Sequence, residues 1–131
     1  MSSPQHTLRS PLGRVRGLGS AKDGTHHWWA QRVTAVALAP LTFWFVYSLM
    51  GLAGGDLSAF TTWLKSPINA TLMVLVVGVG FHHAQLGVQV VVEDYVPGHA
   101  LRTALNLIVK FLCYGLGALS IVSILIVAFG R

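Results

Sequence analysis

The chain has 131 residues, the size of one domain, and 53% of them are hydrophobic while only 10% are charged. Soluble domains carry about 25% charged residues, so this composition excludes an ordinary soluble fold and indicates a membrane protein. The formal net charge of +5 is concentrated near the N-terminus. Basic residues ahead of an apolar segment mark the cytoplasmic side of a membrane more simply than they mark a nucleic-acid-binding tail. The single cysteine, Cys113, excludes an internal disulfide and any multi-cysteine metal motif.

Residues 1–24 contain prolines and glycines without an apolar period. We predict that they form a cytoplasmic extension, either disordered or lying on a partner. No secretory signal peptide is expected, because the first apolar segment is too long and no small-residue cleavage site follows it. A segment that contains Arg and Ser and is poor in acids also fits a mitochondrial transit peptide, so composition leaves the compartment open.

Residues 25–131 are predicted to form an all-α transmembrane anchor domain with three helices, spanning about residues 31–54, 67–93 and 103–129. Uncharged segments at 33–55, 66–92 and 111–130 are each long enough to cross ~30 Å of hydrocarbon at ~1.5 Å per residue. Pro40 should kink the first span, and Gly54-Gly55-Asp56 should end it. The link that follows contains Phe60, Trp63 and Lys65 and is predicted to be a short amphipathic turn on the far membrane surface.

The distribution of basic residues predicts the orientation of the three spans. The N-terminal segment and the 93–110 region together hold most of the Lys and Arg residues, whereas the other side holds only Lys65 and Arg131. The N-terminus is therefore predicted to be cytoplasmic and the C-terminus periplasmic. Three helices make a thin bundle that would hardly enclose a large cofactor alone, so a partner anchor protein is expected.

The second span carries two histidines, His82 and His83, at membrane depth, where a polar side chain is costly. At ~100° per residue, Asp94 lies on the same helix face as His83, roughly 16 Å further along the axis. Gly80 and Gly87, one turn to either side of His83, leave a flat recess of the kind that a planar macrocycle needs. His82 points about 100° away, and we expect it to meet another helix or a polar partner.

The sequence of these residues is also compatible with other interpretations. A transmembrane histidine often only makes an interhelical hydrogen bond, and glycines in such helices are common packing features. No second His, Cys or carboxylate lies four residues after either histidine, which argues against zinc and di-iron sites, whereas a haem takes as few as one ligand per subunit. Asp94 and Tyr95 also fit a solvated helix boundary. Arg32, at the start of the first span, fits a haem-propionate partner and a snorkelling arginine about equally.

The order His83, Gly87, Asp94, Tyr95, closing the second of three spans, resembles the smaller, D-type membrane anchors of succinate dehydrogenase (succinate:quinone oxidoreductase, respiratory complex II). The segment Gln31-Arg32-Val-Thr34-Ala35 is also similar to that family, and the similarity covers about residues 18–130. Residues 19–29 resemble the alphaproteobacterial branch. This resemblance favours a bacterial inner (cytoplasmic) membrane over the mitochondrial inner membrane.

The resemblance implies one haem b held between a histidine from each of two membrane anchors, this D-type chain and a C-type partner. It also implies ubiquinone as the substrate on the cytoplasmic side, where the iron–sulfur and flavoprotein subunits dock. Carried over by position, His83 is the axial haem ligand and Arg32 approaches the haem propionates. Tyr95 would hydrogen-bond the quinone carbonyl, and Asp94 would support that site and its proton supply. The chain would not be a catalyst on its own, since electrons from succinate arrive through the other subunits.

Two further functions are compatible with a three-span protein. The first is the anchor of another quinone-linked oxidoreductase such as fumarate reductase; five-span fused anchors do not fit, and His83 argues against three-span anchors that lack haem. The second is a non-redox membrane scaffold or transport subunit. A transport path would need charges on several helices, but only the second span carries histidines at membrane depth.

Overall fold

The computed structural model describes Leu12 and residues 22–130. The predicted N-terminal extension therefore lies outside the described residues, except for Leu12 and positions 22–24. The described chain folds into four helices, namely α1 (Lys22–Leu52), α2 (Leu57–Leu64), α3 (Pro67–Tyr95) and α4 (His99–Phe129).

Three of these helices are long and apolar enough to cross a bilayer, over Gly24–Leu52, Pro67–Tyr95 and His99–Phe129. This confirms the predicted all-α protein with three spans. Each of the three long helices extends past its predicted span at the end that we predict to be cytoplasmic: α1 begins at Lys22, α3 ends at Tyr95 and α4 begins at His99. Helical hydrogen bonding continues there through polar residues, beyond the ~20 residues that the hydrocarbon itself requires. The orientation of the termini and the packing against a partner anchor stay predictions.

Glycine turns follow the first and third helices at the predicted places, before α2 and before α4. Gly54 and Gly98 both have a φ angle of 85°, which glycine adopts without the steric cost that other residues incur. Pro40, by contrast, lies inside α1, and the helix continues through it. The predicted kink at Pro40 stays a prediction.

The link between the first two spans is a helix, α2, where a short turn was expected. Asp56 is its N-cap, and one carboxylate oxygen accepts hydrogen bonds from the Ala59 N–H at 2.9 Å and the Ser58 hydroxyl at 2.8 Å. The Ala59 N–H first, and then the Ser58 hydroxyl, hold the pKa of Asp56 below its usual value, because both bonds favour the charged form. The prediction of a turn was wrong because it overlooked this cap, which satisfies an N–H that would otherwise be unpaired.

α2 closes the bundle at the end that we predict to be periplasmic. Leu64 is only 2% exposed and packs with Ala70 of α3 and Ala128 of α4. The Trp63 ring stacks on Trp44 of α1, with 5.7 Å between the ring centroids. The short helix thus contacts all three spans, and it explains the amphipathic pattern of the link.

α3 is the central helix of the described chain, packing against α1 on one side and α4 on the other. Its approach to α4 is close at Gly117, where an added Cβ would lie 3.4 Å from the Phe81 side chain. This close approach indicates that Gly117 lets the two helices pack tightly. Gly115, by contrast, has no heavy atom within 4 Å of such a Cβ in the described structure.

Candidate functional site

His83 is half-buried at the interface between α3 and α1. Its Nδ1 lies 2.8 Å from the Thr34 hydroxyl oxygen, and its Nε2 lies 3.5 Å from the Gln31 amide nitrogen. Gln31 and Thr34 are three residues apart, so they lie on one face of α1. These two side chains hold the imidazole of His83 from the neighbouring helix.

The hydrogen bonds around Thr34 favour one tautomer of the His83 ring. The Thr34 hydroxyl is 2.7 Å from the Ala30 carbonyl oxygen, a bond that threonine commonly makes to the preceding helical turn. Since the hydroxyl has one proton and donates it there, its oxygen accepts from Nδ1–H of His83. The neutral ring then keeps its lone pair on Nε2, the atom that can bind a metal.

Two buried polar atoms on α1, one of them in the residue that contacts His83, lack partners in the described structure. They are Gln31 Oε1 and His27 Nε2, which lie one helical turn apart on α1. The Gln31 amide nitrogen also lies 3.6 Å from the position of a Cβ added at Gly87, so it occupies the recess beside that glycine. Gly80 lines an open apolar depression of about 240 Å³ on α3, and His83 is not among its lining residues.

These observations fit a haem whose iron would take one ligand from this chain. Among the described residues, the Nε2 lone pair meets only the Gln31 amide at 3.5 Å, a distance at the outer limit of a hydrogen bond. Gln31 is a flexible side chain and can move aside. A Cβ added at Gly80 would have no neighbouring heavy atom within 4 Å, which leaves space for a planar ring on one side of His83, and movement of Gln31 would open the space beside Gly87. Within the described residues, no three His, Cys, Asp or Glu side chains come together as a metal site.

His82 faces α4, whereas His83 faces α1. Its Nδ1 is 3.1 Å from the Tyr114 hydroxyl of α4, and the two rings stack with 6.2 Å between their centroids. This confirms that His82 meets another helix and a polar partner. The two adjacent histidines are thereby separated, with one imidazole on each side of α3.

Arg32 lies at the same level of the bundle as His83, next to Gln31 in α1. Its side chain is exposed, and its guanidinium carbon is 5.0 Å from the centre of a Trp28 ring. Such a cation–π contact favours this placement of the arginine side chain against Trp28. The structure does not bring Arg32 into contact with His83.

Asp94 and Tyr95 end α3 with exposed side chains, Tyr95 at 82%. In the described part of the chain neither side chain has a hydrogen-bond or ion-pair partner. Both are therefore available to groups outside the described chain.

Two residues at the site, Thr34 and Gln31, were not predicted to contact His83. They belong to the segment that resembles the anchor family, but the sequence does not tell which of its side chains face α3. A signal was present, because His27, Gln31 and Thr34 follow the i, i+4, i+7 spacing of one helix face. These polar residues at the start of an apolar span indicate a face turned away from lipid.

Residues 6–128 match the family described as "Succinate dehydrogenase/Fumarate reductase transmembrane subunit". A protein of Rickettsia conorii named "Succinate dehydrogenase hydrophobic membrane anchor subunit" is 36% identical over 82% of this chain and 86% of its own length. The protein of that name from Rickettsia bellii is 34% identical over 96% of this chain and 98% of its own length. The one from Paracoccus denitrificans is 33% identical over 78% and 79%, respectively.

Proposed function

This chain belongs to the succinate dehydrogenase/fumarate reductase transmembrane subunit family, and we propose that it anchors a succinate dehydrogenase in the bacterial inner membrane, helping to hold haem b and ubiquinone. The observation that carries the proposal is the 2.8 Å contact between His83 Nδ1 and the Thr34 hydroxyl, which favours a neutral imidazole with its lone pair on Nε2. The family membership and the three apolar helices make it a multi-pass membrane protein.

At the haem end, His83 would give one axial bond, and the partner membrane anchor would give the other. These two histidines would hold the haem, and the group they hold would supply a one-electron store. Thr34 orients the His83 ring and fixes its tautomer, as a second layer of partners commonly does for metal-binding histidines. Arg32, next to Gln31 in α1, would approach the propionates.

At the quinone end, Tyr95 would donate its phenol proton in a hydrogen bond to a quinone carbonyl oxygen. Asp94 would support that site and pass protons to the reduced quinone. Electrons from succinate would arrive through the flavoprotein and iron–sulfur subunits, which would dock at this cytoplasmic end. The exposure of both side chains supports a site that another chain completes.

Fumarate reductase anchors share the same family description, so the direction of electron flow needs a separate argument. The relatives from Rickettsia and Paracoccus are named for succinate dehydrogenase. We therefore propose succinate oxidation as the direction. The bacterial relatives support a bacterial membrane, and the distribution of basic residues supports a cytoplasmic N-terminus and a periplasmic C-terminus.

The direct test of the proposed function is a reduced-minus-oxidised absorbance spectrum of the complex purified from membranes with its partner subunits. We expect the spectrum of a b-type haem with two histidine ligands, together with succinate-dependent reduction of ubiquinone. A complex without haem absorbance would rule out the haem assignment, and one without quinone reduction would rule out the quinone assignment.

Replacing Thr34 with valine should weaken haem binding, because valine has the same shape but no oxygen to accept the Nδ1–H of His83. Loss of such a second partner typically costs 10–100-fold in metal affinity, and we expect a weakening on the order of tenfold or more. The measurement is haem retained per complex during detergent exchange. Thr34→Ser keeps the oxygen and is the matched control; equal haem retention in Thr34→Val and wild type would contradict the role of Thr34.

A further inference from the structure

Two polar stripes face each other across the α3–α4 interface, and the haem and quinone roles proposed above use neither of them. The members on α3 recur at helical spacing, as do those on α4, and the two sets run antiparallel. They are His82, Gln85, Gln89 and Glu93 on α3, and Thr103, Asn106, Lys110 and Tyr114 on α4. Polar side chains inside a membrane domain are costly unless they are paired, so a continuous stripe points to a role.

Within the α3 stripe, side-chain amides form a ladder directed toward the predicted cytoplasmic end. Gln85 is only 4% exposed, and its amide nitrogen donates to the Gln89 side-chain oxygen at 3.1 Å. The Gln89 amide nitrogen in turn donates to a carboxylate oxygen of Glu93 at 2.8 Å. The same Glu93 oxygen accepts from the Asn106 amide of α4 at 3.5 Å. This contact, at the outer limit of hydrogen-bond distance, joins the last turn of α3 to α4.

A second connection lies just beyond the end of α3. Val96 is the C-cap residue, and its carbonyl oxygen accepts from Nε of Arg102 at 3.4 Å and from Nη2 at 3.2 Å. Carbonyl groups at a helix end lack partners within the helix, so the Arg102 side chain satisfies one of them from α4. This contact fixes the start of the turn between α3 and α4.

Asp94 and Tyr95 lie between these two connections. The residue before the pair, Glu93, and the residue after it, Val96, are both hydrogen-bonded to α4, while the side chains of the pair remain exposed. The segment is therefore joined to α4 through a side chain on one side and a backbone carbonyl on the other, and the side chains of Asp94 and Tyr95 have no partner in the described chain. A site that is completed by another chain needs this arrangement, because small displacements of positioning groups cost much of the rate.

We propose that Glu93 and Arg102 are positioning residues for the quinone site, which they serve by bracing the Asp94–Tyr95 segment against α4. This inference rests on the proposed function. The role of Glu93 is that of a hydrogen-bond acceptor, which a glutamine oxygen can also fill. The role of Arg102 is to donate to the Val96 carbonyl from a planar group with parallel N–H bonds.

The experiment uses the complete complex in membranes and compares Glu93→Leu with Glu93→Gln, and Arg102→Met with Arg102→Lys. The readouts are kcat and KM for a short-chain ubiquinone, and succinate oxidation with an artificial acceptor that does not need the quinone site. We expect Glu93→Leu and Arg102→Met to lower kcat/KM for ubiquinone roughly 3- to 10-fold, the loss of about one hydrogen bond. The artificial-acceptor rate should not change, and Glu93→Gln should recover most of the loss.

Thr103→Val is the matched control, because the Thr103 hydroxyl donates to the His99 carbonyl within α4 and does not hold α3. The brace, meaning the contacts of Glu93 and Arg102 that join the ends of the Asp94–Tyr95 segment to α4, is refuted if both disruptive variants keep the wild-type kcat/KM for ubiquinone. It is also refuted if Glu93→Gln lowers kcat/KM as much as Glu93→Leu does. A normal rate of succinate oxidation with the artificial acceptor shows that the variant complex has assembled. If either Glu93→Leu or Arg102→Met fails to assemble, the ubiquinone kinetics of the other variant test the proposal.

Tyr95→Phe is measured in the same series to separate the two hypotheses. If Tyr95→Phe lowers ubiquinone reduction and the brace variants do not, only the brace is refuted. If Tyr95→Phe has no effect either, the proposed quinone site is refuted and the brace with it.

Discussion

Replacing His83 with leucine is expected to remove the b-type haem spectrum of the complex. Leucine has no lone pair to offer in place of Nε2, so the iron would lose its ligand from this chain. The change should be tolerated by the fold, because leucine suits an apolar helix and the Thr34 hydroxyl keeps its bond to the Ala30 carbonyl. Succinate oxidation with an artificial acceptor then reports whether the subunits still assemble.

The adjacent histidine supplies the control for this experiment. His82→Leu removes the contact with Tyr114 but leaves the Thr34 side of α3 untouched. We expect His82→Leu to keep the spectrum of a haem with two histidine ligands. A normal spectrum in His83→Leu would contradict the ligand assignment, and loss of the spectrum in His82→Leu alone would transfer it to His82.

Replacing Tyr95 with phenylalanine should lower ubiquinone reduction about tenfold. The substitution removes one hydroxyl, and a hydrogen bond of ~1.5 kcal/mol to a substrate oxygen corresponds to about that factor in kcat/KM. Stability should change little, because Tyr95 is 82% exposed and its hydroxyl has no partner in the described chain. Succinate oxidation with an artificial acceptor should persist.

Tyr47→Phe is the matched control for that prediction, because Tyr47 of α1 is 78% exposed and lies away from the end of α3. The same hydroxyl would be removed at a position with no proposed contact with quinone. Equal ubiquinone reduction in Tyr95→Phe and wild type would argue against the hydrogen bond to the quinone. Equal losses in both tyrosine variants would indicate a general effect of the substitution.

The three spans were predictable because the bilayer imposes a simple length requirement on apolar segments. Any helix that crosses hydrocarbon needs ~20 uncharged residues, and the segments at 33–55, 66–92 and 111–130 meet this requirement without reference to one another. α2 was not predicted as a helix, because eight residues are too few for a periodic signal. It depends on the Asp56 cap and on packing of Leu64 against the ends of two other helices.

The sequence by itself determined that this is a three-span membrane protein, that His83 and Asp94 share a helix face, and which family the chain resembles. These follow from composition, the helical repeat and motif spacing, which are local properties. Only the tertiary structure decided that His83 faces Thr34 and Gln31 while His82 faces Tyr114. The physical reason is that the rotation of each helix about its own axis is set by packing between helices. Two adjacent histidines on an apolar helix carry no local signal of which neighbour each will meet.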